Sequence, residues 1–215
     1  MKNIDNFGLS LFNKDSTKKI KLNEIDIEEI VDSGILDSVP YLGDAISSYK
    51  GVMNLRDKIF TKKFIRFLQS FENQSISEKE YNDFKDRIVN DKNYRIKVTE
   101  TLIEYIDNFK NTNKIEVYSN LLTAYIGKKI TWEYFIKLSE CLEKVDLNYL
   151  NIIPKIDSTD GKEVQNFDEN ETTAEASLES SGLAIRMSVW SSDIYPTKYE
   201  RIYINMLLMI IYRKV

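Results

Sequence analysis

Histidine is missing from this chain, and a count of 0 closes several routes at once. No imidazole is present to act as general acid or base, to activate a Ser or Cys nucleophile, or to ligate zinc. Cysteine is nearly missing as well. With 1 residue, Cys141, an intrachain disulfide and a Cys-rich metal cluster are both excluded. Glycine (7) and proline (3) are scarce in 215 residues, which argues against a turn-rich β-sandwich and for long helices. The glycines form no GxGxxG or GxxxxGK(S/T) pattern, so no phosphate cradle is visible. A strong charge of one sign is absent too. Lys+Arg of 30 against Asp+Glu of 34 gives a net charge of -4, so no bulk attraction to nucleic acid or anionic membrane is implied. The most apolar run, Ile202 to Tyr212, falls short of the roughly 20 apolar residues a spanning helix needs. The opening MKNIDNFGLSLFNKDS lacks the apolar core of a signal peptide, and the cytoplasm is the expected compartment.

What is present is a core. Hydrophobic residues make up 42% of the chain and recur at helical spacing. Residues 1–22 read as a loose N-terminal arm, polar and mixed. A helical bundle is expected over 23–151. Val39-Pro40-Tyr41-Leu42-Gly43 breaks the chain, because Pro fixes φ and restrains the residue before it. A long helix from about Asp44 to Phe71 follows. Its apolar stripe includes Ile59, Phe60, Phe64, Phe67, Leu68 and Phe71. It also carries Lys50, Arg56, Lys58, Lys62, Lys63 and Arg66, the one locally basic element of an acidic protein.

Further helices follow from their own signals. Ser77-Glu78-Lys79-Glu80 is a capping box, the Ser hydroxyl accepting the third amide while the Glu reaches back to the Ser amide. The helix it opens runs to about Asn90, with Tyr81, Phe84 and Ile88 inward. Asp91 caps the next, through Tyr94, Val98, Leu102, Ile106 and Phe109. Ile115, Tyr118, Leu122, Tyr125 and Ile126 mark another, with Gly127 as its left-handed stop. Thr131 caps a helix carrying Trp132, Phe135, Leu138, Leu142 and Val145. Asp146–Leu150 is a last turn or a short separate helix.

Residues 152–172 read as an acidic loop, with Asp157, Asp160, Glu163, Asp168, Glu169 and Glu171 among few hydrophobes. Over 173–215 a helix from Ala174 ends at Gly182. Leu183, Ile185, Met187 and Val189 then alternate as in a strand, and Tyr199–Tyr212 closes the chain as helix or strand. The expected fold is mainly α: a multi-helix bundle with a small C-terminal β-hairpin or wing-like element packed on it.

Chemistry has few candidates. Glu24, Glu28 and Glu29, or Glu140, Glu143 and Asp146, can form oxygen-only cation sites, but solvated helix faces explain them better. Cys141, mid-helix between Glu140 and Glu143, reads as a structural thiol. No catalytic residue, metal or cofactor is expected. The candidate contact residues are Lys58, Lys62, Lys63 and Arg66 on the basic helix and Arg186 and Trp190 in the hairpin. The basic face has an ordinary explanation too, as a solvated surface pairing with acidic neighbouring helices.

The block Val39-Pro40-Tyr41-Leu42-Gly43 followed by Leu55-Arg56-Asp57-Lys58-Ile59-Phe60-Thr61-Lys62-Lys63-Phe64-Ile65-Arg66-Phe67-Leu68 resembles a group of uncharacterised bacterial helical proteins of phage, plasmid or defence loci. In these a Pro-x-x-Gly break precedes an Arg-Asp-(Lys/Arg)-x-Phe-x-Lys-Lys helix. Ile130-Thr131-Trp132-Glu133-Tyr134-Phe135, Asp146-Leu147 with Leu150, and Leu178 with Gly182-Leu183 follow in similar order. The resemblance implies an accessory role in phage–host conflict or antiviral defence and assigns no residue a role; a protein partner is expected because the usual catalytic chemistry is missing while the core pattern is strong. Three functions are weighed on this basis. The first is a non-enzymatic protein-interaction module, with a protein partner or a homo-oligomer. The second is a membrane-acting effector using 35–55, although Asp37, Asp44 and Lys50 are expensive in hydrocarbon. The third is nucleic-acid binding through the basic helix.

Overall fold

The computed structural model describes residues 8–9, 11–12, 55–152, 169–186 and 194–196. The Pro40 break, the first half of the long helix, most of the acidic loop and the closing segment 199–212 lie outside the described residues. What is described is mainly helical, and the chain divides into two compact units, residues 1–129 and 130–215.

Among the described residues, the first unit holds four helices: α1 (Leu55–Glu72), α2 (Glu78–Asn90), α3 (Lys92–Asn108) and α4 (Asn113–Ile126). Their starts follow from local chemistry. Ser77 stands in extended backbone and its hydroxyl oxygen accepts from the Glu80 amide. The reciprocal half of the capping box differs from expectation: the Ser77 hydroxyl donates to the Glu80 carboxylate at 2.6 Å. Asp91 alone joins α2 to α3. Its amide donates to Arg87 and ends one helix, while its carboxylate accepts from the Tyr94 amide at 2.9 Å and begins the next.

The stop after α4 corrects the sequence reading. Gly127 has φ -72, and the left-handed residue is Lys128, with φ 56. The Lys129 amide reaches the Ala124 carbonyl and the Lys128 amide reaches Tyr125. This is a Schellman closure, which needs its left-handed residue one place after the glycine.

Apolar faces meet as the spacing requires. α1 packs most extensively on α4 and also meets α3, while α2 lies on α3 and α4. Phe64, Phe67, Leu68 and Phe71 are buried, with Val98, Leu102 and Ile106 of α3 and Ile115, Leu121 and Leu122 of α4. Tyr118, fully buried, forms the centre. Its ring lies 5.8 Å from Phe67, 5.6 Å from Tyr105 and 5.2 Å from Phe109, centroid to centroid. Its hydroxyl donates to the Thr101 carbonyl, so its polar end is satisfied. Truncating such a residue typically costs about 3–5 kcal/mol.

Two expectations fail in this unit. Ile59, counted in the apolar stripe, is 48% exposed, because the buried arc of α1 centres on Phe64, Phe67, Leu68 and Phe71. The N-terminal arm is not loose at its described residues. Leu11 is buried, and the Phe12 ring lies 5.7 Å from both Tyr81 and Phe84.

The second unit holds α5 (Trp132–Lys144), a 3-10 turn (Leu147–Ile152), α6 (Glu169–Ser181) and the short strands β1 (Ala184–Arg186) and β2 (Ile194–Pro196). Thr131 caps α5 through the Tyr134 amide. Phe135, Leu138, Leu142 and Val145 are buried, as are Ala174 and Leu178 of α6, which packs on α5 and the turn. α6 starts at Glu169, inside the stretch expected to be an acidic loop. Its end is the expected one. Gly182 takes φ 82, its amide donates to Glu179, and the Leu183 amide donates to Leu178. The buried side chains of Leu178 and Leu183 complete the second Schellman closure. β1 and β2 pair antiparallel, with Ile185 opposite Tyr195.

Candidate interaction surface

The basic helix α1 places its cations in three different settings. Lys62 is exposed and Lys58 is half-buried. Lys63 is only 7% exposed, contrary to its expected place on an outward face. Its ammonium donates to the backbone carbonyl of Asp107 at 2.7 Å. Burial lowers the Lys63 pKa below the usual ammonium value; the Asp107 carboxylate opposes that shift and Arg56 adds to it. Arg66 donates to the Glu116 carboxylate at 2.8 Å and to the Asn113 side-chain oxygen at 3.4 Å. Arg56 pairs with the Asp107 carboxylate.

These contacts have one physical sense. The last turn of α3 presents unpaired carbonyls and the negative end of its dipole, and Lys63 sits on one of them. Glu116 lies in the first turn of α4 and takes Arg66 across from it. Much of the cationic stripe therefore docks α1 on the α3–α4 corner. Asp107, the residue on which Arg56 and Lys63 converge, carries no sequence signal of that role beyond its place near a helix end.

Among the described residues of α1, Ile59 and Lys62 lie outward three residues apart, with Arg66 at the edge of that strip turned toward Glu116. Ile59 is the apolar member, half exposed between cations. Arg186 lies in β1 opposite Ile194, but its side chain and all of Trp190 fall outside the described residues. The structure thus brings Lys63 and Arg66 to one corner and leaves Lys62 apart from it.

The remaining polar features are structural. Tyr94 and Tyr125 share a hydrogen bond at 2.8 Å, and the Arg87 guanidinium lies 3.8 Å above the Tyr94 ring. Cys141 is buried, and burial, then Glu140, push its thiol pKa up, so it is a poor nucleophile. Among the described residues, no group of three carboxylates or thiols is placed to hold a metal ion. Among them too, no helix is long and apolar enough to cross a membrane. The segment 35–54 and the trio Glu24, Glu28 and Glu29 lie outside the described residues.

Comparison with protein-family models, with curated proteins and with solved structures finds no match to this chain.

Proposed function

We propose that this chain is a non-enzymatic protein-interaction module that acts by binding a protein partner or a second copy of itself. The observation that carries the reading is Ile59. It is a large apolar side chain, 48% exposed, on the outward strip of a helix whose other face is locked into the core. Isolated exposed apolar residues are common, but this one lies one turn from exposed Lys62 on a helix held at both the α3 and α4 ends. A rigid helix presenting one apolar anchor beside cations suits a protein contact more than a catalytic site. The β1–β2 pair following α6 reads as a wing-like element offering a second contact, with Ile185 50% exposed. The resemblance to bacterial phage, plasmid or defence-locus proteins supplies the setting: an accessory role in phage–host conflict.

The nucleic-acid reading draws less support from the same geometry. A phosphate backbone needs several free cations in a row, and Arg56, Lys63 and Arg66 already face Asp107, its carbonyl and Glu116.

The test uses the full chain beside the double variant Ile59→Arg with Lys62→Glu. Affinity capture from the native host and sedimentation velocity read the two together. The wild type is expected to hold a stoichiometric partner or to sediment as an oligomer. The variant is expected to lose that association while keeping its helical circular dichroism and melting temperature. A wild type that sediments as a clean monomer and retains nothing overturns the reading.

A further inference from the structure

We draw no further inference here: the strongest candidate, the shallow groove along the outer face of α3 lined by Asn93, Ile96, Lys97, Glu100, Thr101 and Glu104, mixes amide, ammonium, carboxylate and hydroxyl groups that select no ligand class, and nothing in the structure shows what covers it.

Discussion

The Lys63 ammonium holds the Asp107 carbonyl at 2.7 Å and so ties the middle of α1 to the last turn of α3. Its chain neighbour Lys62 faces water. Two adjacent lysines therefore perform different tasks, and substitution separates them.

Reversing Lys62 to Glu is expected to change stability by no more than about 0.5 kcal/mol, as for an exposed position without special geometry. Reversing Lys63 to Glu buries a carboxylate against Asp107 and its carbonyl, and is expected to cost about 3 kcal/mol or more. Lys63→Met keeps the packed stem and loses only the ammonium, so it should fall between the two. Urea unfolding of the three variants decides this. Equal losses for Lys62→Glu and Lys63→Glu would remove the distinction.

Alkaline pH should weaken the first unit. Burial raises the pKa of Tyr118 and Tyr94 well above their ordinary 10.0, with the Tyr125 hydrogen bond adding at Tyr94; burial and Glu72 raise that of Tyr81. Above pH 10 the unfolded chain releases phenol protons that the folded chain keeps, so stability falls as pH rises. Each such proton is worth about 1.4 kcal/mol per pH unit. Lys63 acts in the opposite sense. Its folded pKa lies below 10.5, so the penalty of keeping it charged in the fold is relieved as pH climbs through that lowered value toward 10.5. Three phenols outweigh one ammonium. Urea midpoints taken from about pH 7 to pH 11 should decline at the alkaline end, and Tyr118→Phe should flatten that decline. A flat wild-type profile contradicts it.

The two Schellman closures differ in the residue that takes the left-handed backbone: Gly182 at φ 82 after α6, Lys128 at φ 56 after α4. A side chain there costs about 1–2 kcal/mol, part of which glycine returns through its freer unfolded state. Lys128→Gly is expected to raise stability by about 0.5–1 kcal/mol, since its ion pair with Asp83 spans 3.4 Å at the surface and contributes little. Gly182→Ala is expected to lower it by about 1 kcal/mol. Thermal melts of both variants suffice, and opposite signs are the required result.

Ser119 is fully buried in α4, and its hydroxyl has no hydrogen-bond partner among the described residues. Ser139 is equally buried but donates to the Phe135 carbonyl at 2.7 Å. Removing an unsatisfied hydroxyl should help and removing a satisfied one should not. Ser119→Ala is therefore expected to raise the unfolding free energy by about 1 kcal/mol, and Ser139→Ala to lower it by about the same amount. A loss in both variants would show that the Ser119 hydroxyl is satisfied in solution.

Helix starts were legible because they are local. Ser77, Asp91 and Thr131 each bond an amide three residues on, and a window of four letters contains both partners. The stop at Gly182 was legible for the same reason. The stop after α4 was not, since Gly127 and Lys128 differ by one position and only the bonds to Tyr125 and Ala124 say which turns left-handed. The packing of the N-terminal arm was not legible because Phe12 finds its partners some seventy residues away, at Tyr81 and Phe84.

The amino-acid order alone determined that the described chain is mainly helical, where its capped helices begin, and that imidazole chemistry and an intrachain disulfide are closed to it. Those properties depend on composition and on contacts within a few residues. Only the tertiary structure decided that Lys63 is inside and Ile59 outside. Helical periodicity marks an arc of α1 as apolar, but the packing of α3 and α4 against it sets where that arc ends, and that packing arises from contacts far apart in the chain.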